Sequence, residues 1–77
     1  MSNQSAILKK IFIVSLGLKK NINFNKLKYG DPKWDSVAHM KLIAQIEKKL
    51  KISIDVEDVV DMSSFKKAMS IVEKYID

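Results

Sequence analysis

Three stretches of the chain repeat apolar residues every three or four positions, and a chain with that period must pack helices side by side to hide them. In residues 5–16 the series is Ile7, Leu8, Ile11, Phe12 and Val14, with Lys9 and Lys10 on the other side. In residues 36–50 it is Leu42, Ile43, Ile46 and Leu50, and Val37, Met40 and Ala44 make a second row at the same spacing. The last helix begins at Ser63 or Ser64 and carries Phe65, Ala68, Met69, Val72 and Ile76.

The links between these stretches complete the expected architecture. Gly17 can end the first helix in a left-handed conformation. Periodicity then fails from Leu18 to Asp35, where Asn21, Asn23, Asn25, Gly30, Asp31 and Pro32 favour turns and Pro32 disfavours helix at Asp31. Connections this long are usually pinned or functional, and Ile22, Phe24, Leu27, Tyr29 and Trp34 can pin this one by packing on the helices. Beyond Leu50, Ile52 and Ile54 alternate with polar residues as in a short strand, but two positions are too few to establish one. Asp55 followed by Asp58 reads as an N-terminal cap with an acidic first turn, opening a short helix to about Asp61. The expected fold is all-α: a small four-helix bundle in one domain over residues 1–77, with three longer helices, a short third helix and a long loop between the first two.

Size and residue content narrow the function classes. A chain of 77 residues buries only a modest part of its surface, so a deep, self-contained active site is not expected and an autonomous enzyme is the poorest fit. The absence of cysteine excludes disulfides, a thiol nucleophile and a thiolate zinc site. His39 is the single histidine, without metal-ligand spacing or a carboxylate beside it, so a packed or solvated side chain is expected there. The longest aliphatic or aromatic run, Ile11-Phe12-Ile13-Val14, cannot span a bilayer, and Met1-Ser2-Asn3-Gln4 lacks the basic head and apolar body of a secretory signal. A cytoplasmic monomer with no membrane partner is the expectation.

The formal charge of +5 comes entirely from lysine on the basic side. Residues 1–51 hold eleven lysines against Asp31, Asp35 and Glu47, whereas residues 52–77 hold three lysines against six acids, an asymmetry that can orient the chain on a charged partner. One reading is therefore a lysine-rich helical module that binds nucleic acid or an acidic protein. Against nucleic acid stand the lack of arginine and of any helix face suited to base readout. A lone Trp34 serves better as a loop anchor than as a stacking platform.

The order of the remaining features points elsewhere. Trp34-Asp35-Ser36-Val37 opens the central helix, which ends in Glu47-Lys48-Lys49-Leu50. There follow Ile52 to Asp58 and then Ser63-Ser64-Phe65. From about Ala6 to Ile76 this order and spacing resembles an acyl carrier protein, a family in which an Asp-Ser-Leu triplet begins the second of four helices. Here the triplet is Asp35-Ser36-Val37. The resemblance implies that Ser36 bears a 4′-phosphopantetheine arm, donated by coenzyme A through a phosphopantetheinyl transferase with magnesium, whose thiol holds acyl groups as thioesters. Ser36 then needs no catalytic base of its own. By its local residues alone Ser36 reads first as a helix N-cap, a place Asp35 could also take, and it is the whole-domain resemblance that turns the reading to attachment. A phosphodiester on Ser36 would lie at the helix end that favours anions.

The same resemblance implies partners and a shelter for the cargo. Val37, Met40, Lys41, Ala44, Glu47 and Lys48 would meet acyl-transferring or acyl-activating enzymes, while Ile46, Ile54, Val59, Met62 and Ala68 would line an acyl pocket between the second and third helices. As ordinary core residues those five would look the same from sequence. The positions of Lys41 and Lys48 are usually acidic in carriers of fatty-acid synthesis, and only Glu47 keeps the expected sign. That reversal favours a dedicated lipid, secondary-metabolite or surface-glycan pathway, unless the lysines are only a solvated face. An unmodified carrier acting as an interaction subunit is a third possibility.

Overall fold

The periodic stretches become helices α1 (Gln4–Leu16), α2 (Ser36–Leu50) and α4 (Phe65–Ile76), with a short α3 (Val56–Asp61) between the last two, in a computed structural model that describes residues 4–76. The fold is an all-α four-helix bundle, and no strand occurs among the described residues. Leu8, Ile11, Phe12 and Leu16 from α1 meet Leu42, Ile43 and Ile46 from α2 and Phe65, Ala68, Ile71 and Val72 from α4 in one core. Each fully buried aliphatic or aromatic side chain removes enough apolar surface from water to stabilise the fold by roughly 1.5–3 kcal/mol before conformational entropy is counted.

Two side chains of α1 depart from the expected core. Val14 is 77% exposed, and Ile7 is 39% exposed. Both lie on the flank of the α1 face that carries Leu8, Phe12 and Leu16, because the apolar arc of α1 is wider than the strip the bundle covers and no polar residue marks where the core stops. In α4, Ile71 is buried although the expected stripe omits it, while Met69 and Ile76 are only half-buried.

The helix ends follow local chemistry. Gly17 takes φ 66, and the Leu18 N–H reaches back to the Ile13 carbonyl at 3.0 Å, closing α1 as a Schellman motif. At the end of α2 the same geometry falls on Lys51, with φ 58 and the Ile52 N–H on the Glu47 carbonyl at 3.2 Å. A Cβ in the left-handed region is strained, so Lys51→Gly should raise stability by about 1 kcal/mol in urea unfolding. Ser64 caps α4, its Oγ accepting from Lys67 N–H at 3.1 Å. At α3 the expectation needs correcting: the Asp55 side chain makes no cap bond. Its carbonyl accepts from the N–H groups of Asp58 and Val59, and its own N–H donates to the Tyr75 hydroxyl at 3.0 Å.

The long loop is tied down. Trp34 is fully buried and Leu27 nearly so, while Ile22 and Phe24 are half-buried. Tyr29, named with them as a possible anchor, is 46% exposed and packs edge-on to Trp34. Phe12 meets Trp34 and Phe65 edge-to-face at 5.2 and 5.1 Å between ring centroids, and such pairs contribute about 0.5–1.5 kcal/mol each beyond area burial. A one-turn 3-10 helix, Phe24–Lys26, is capped by the Asn23 side chain on Asn25 N–H at 3.0 Å. The Tyr29 N–H donates to the Ser63 carbonyl at 2.8 Å beside an isolated Lys28–Ser64 bridge. Pairing between chain segments thus occurs here, whereas Lys51 to Ile54 forms no strand.

The short α3 buries none of its own residues and depends on tethers. Asp58 accepts from the Tyr75 hydroxyl and from Lys74 Nζ, the latter at 2.9 Å. The Tyr75 hydrogen bond, then Lys74, hold the Asp58 carboxyl below its ordinary value of 3.8. The Asp58 bond raises both Lys74 and Tyr75 above 10.5 and 10.0. The Asp58 contribution is therefore present above pH 3.8 and is lost as pH falls through the lower folded value. The Lys74 and Tyr75 contributions are complete below their ordinary values and are lost as pH rises through the higher folded ones. Tyr75→Phe removes the main cause of the Asp58 shift. Its thermal stability should be lower at neutral pH and should fall less steeply than the parent's on acidification through 3.8.

Candidate functional site

Ser36 is exposed and is the first residue of α2. The cap is Asp35: its Oδ1 accepts from the Ala38 N–H at 2.8 Å, and its carbonyl accepts from the His39 N–H at 2.8 Å. The choice between the two candidate caps is thereby resolved, leaving the Ser36 hydroxyl with no part in the cap. In a helix capped this way the N–H groups of Ser36 and Val37 have no intrahelical acceptor, so they can receive an anionic oxygen attached at Ser36. The residues present thus fit a phosphodiester at that hydroxyl.

Beside Ser36 runs a groove of about 370 Å³ between α2 and α3, lined by Tyr29, Ser36, His39, Met40, Val59, Val60, Met62 and Ser63. Its walls are mostly apolar. Of the five expected pocket residues, Val59 and Met62 line this groove, whereas Ile46, Ile54 and Ala68 are closed into the core. Val60, Tyr29 and Ser63 were missed by sequence reasoning. The usable signal for Val60 was its spacing from Val56 in a helix whose remaining residues are Val59 and three acids: Val56 and Val60 are both 77% exposed.

His39 holds the groove together. Trp34 Nε1–H donates to His39 Nδ1 at 2.9 Å, and His39 Nε2 lies 2.8 Å from the Val59 carbonyl oxygen. An indole N–H can only donate and a carbonyl can only accept, so the ring carries its proton on Nε2 and is neutral. The histidine is packed, being 8% exposed, and links the loop, α2 and α3. Neither ring nitrogen is free to take a proton from Ser36 three residues earlier.

The outer face of α2 carries the expected contact residues. Val37 and Met40 are 63% and 61% exposed, and Ala44, Lys41 and Lys48 are exposed beside them. Glu47 is different. It is half-buried, and its Oε2 accepts from the Ile54 N–H at 2.8 Å, which fixes the α2–α3 link. Asp35 and Glu47 are thus both engaged with backbone N–H groups. Among the described residues no carboxylate pairs with Lys41 or Lys48.

No helix among the described residues is long and apolar enough to cross a membrane, and no cluster of metal-ligating side chains occurs among them. In comparisons with known proteins, no family model and no curated protein matches the chain.

Proposed function

We propose that this chain is a carrier protein of the acyl carrier type, with Ser36 as the attachment point for 4′-phosphopantetheine. The observation that carries the reading is the juxtaposition of three things: an exposed serine hydroxyl left out of its helix cap, free N–H groups beside it, and an apolar groove opening from it toward Met40, Val59, Val60 and Met62. Once attached, the arm would supply a thiol that can carry an acyl group as a thioester. The chain's own residues hold and expose the hydroxyl, receive the phosphodiester at the helix end, and offer an apolar wall to the cargo. They provide no base for Ser36, since His39 is fully engaged, so activation belongs to a separate transferase.

The test is intact mass after incubation with a broad-specificity phosphopantetheinyl transferase, coenzyme A and magnesium. A gain of one phosphopantetheinyl group is expected. No gain, combined with tight binding to one nucleic-acid sequence at physiological salt, would favour the lysine-rich binding module instead.

The unpaired Lys41 and Lys48 support a dedicated partner, because a basic patch of the kind that receives acidic carriers would be repelled by them. Lys41→Glu with Lys48→Glu should improve acceptance of the modified protein by a standard fatty-acid synthase enzyme several-fold at low salt, with the gain shrinking as salt screens it. Equal association rates for parent and double variant would reduce these lysines to solvated surface, where exposed charges contribute less than about 1 kcal/mol.

A further inference from the structure

We infer that a second groove, between α1 and α2, docks an acidic amphipathic helix of a partner protein. This groove measures about 380 Å³ and is walled by Ile7, Ile11 and Val14 on one side and Gln45 on the other, with Lys10 and Lys49 lining it as well. It belongs to a different face from the Ser36 groove. Gln45 follows Ser36 by nine residues, which at 3.6 residues per turn places it on the opposite side of α2.

Shape and charge together select the occupant. Val14 at 77% and Ile7 at 39% exposure leave apolar surface unused on a helix that carries no acidic residue at all. A concave gap between two helices takes the spaced side chains of a third helix, the arrangement used when an amphipathic segment lies in a groove. Lys10 and Lys49 pair with no carboxylate among the described residues. The one acid of α2, Glu47, is spent on the Ile54 N–H. The opposite charge must therefore come from the partner, as glutamates or aspartates flanking its apolar anchors.

The inference stands independently of the carrier reading. The probe is a synthetic helical peptide with leucines at i, i+3, i+4 and i+7 and glutamates flanking them, titrated into the full chain and followed by amide chemical shifts. Shifts are expected at Ile7, Lys10, Val14, Gln45 and Lys49. Val14→Glu, and separately Lys10→Glu with Lys49→Glu, should each weaken binding at least about tenfold, while Ser36→Ala should bind the peptide as the parent does. Val14 is exposed, so its substitution should leave the far-ultraviolet circular dichroism unchanged, and Val14→Ser replaces it should Val14→Glu unfold the chain. The proposal is overturned by an absence of shifts, by equal shifts with a scrambled peptide of the same charge, or by shifts centred on Met40 and Val60. Self-association of the chain, or binding to phosphatidylserine vesicles, that Val14→Glu abolishes would overturn it by naming another occupant.

Discussion

Ser36→Ala is expected to fold like the parent and to gain no mass under conditions that convert the parent completely. The fold should tolerate it because Ser36 is exposed and the α2 cap is made by Asp35, not by the serine; surface substitutions of this kind usually shift stability by no more than about 0.5 kcal/mol. On the proposed carrier reading the modification should vanish because the hydroxyl itself would be the acceptor. The physical competitor is Ser63, which is exposed and lines the same groove, whereas the Ser64 Oγ already accepts the Lys67 N–H. Peptide mapping that finds the arm on Ser63 or Ser64, or a mass gain that survives in Ser36→Ala, would sink the assignment.

The second large effect is structural. Trp34→Ala should destabilise the chain by about 3–5 kcal/mol from lost packing alone. It also leaves His39 Nδ1 buried without its donor, which costs about 1–3 kcal/mol more. A domain of this length is typically stable by only about 0.05–0.15 kcal/mol per residue, so the loss removes a large part of its stability. Trp34→Phe separates the two terms. It keeps a ring against Phe12 but removes the N–H, and it should cost about 1–3 kcal/mol while loosening α3, since the freed imidazole no longer has to present Nε2–H to the Val59 carbonyl. Urea unfolding followed by circular dichroism measures both variants. A loss below about 1 kcal/mol for Trp34→Ala would mean that the tryptophan does not anchor the loop.

Together the two variants separate chemistry from scaffold. Ser36 offers a reactive atom and contributes little to the fold, whereas Trp34 carries no reactive atom and fixes where α3 lies relative to Ser36. The proposed carrier role would need both kinds of residue, one to be modified and one to hold an apolar wall beside it.

Helix placement was legible in the chain because a buried face forces an apolar period of three to four residues, and α2 and α4 obey it closely. So were the stop at Gly17, the start of α4 beside Ser63 and Ser64, and the second apolar row of α2, each of which depends on residues within about two helical turns of one another. The limits of the α1 core face were not legible, since Val14 and Leu16 are equally apolar and only the neighbouring helices determine which is covered. Nor were the roles of Glu47, His39 and Tyr75. Their partners at Ile54, Val59 and Asp58 lie seven to twenty residues away, and a hydrogen bond over that separation exists only once the chain has closed. Local sequence determined the helices and marked Ser36 at the head of α2, because propensity and capping act over a few residues. Tertiary structure alone decided that Glu47 turns inward to the Ile54 N–H while Lys41 and Lys48 stay unpaired, and that Val60 and Met40 share a groove, because burial and long-range pairing are properties of the packed whole.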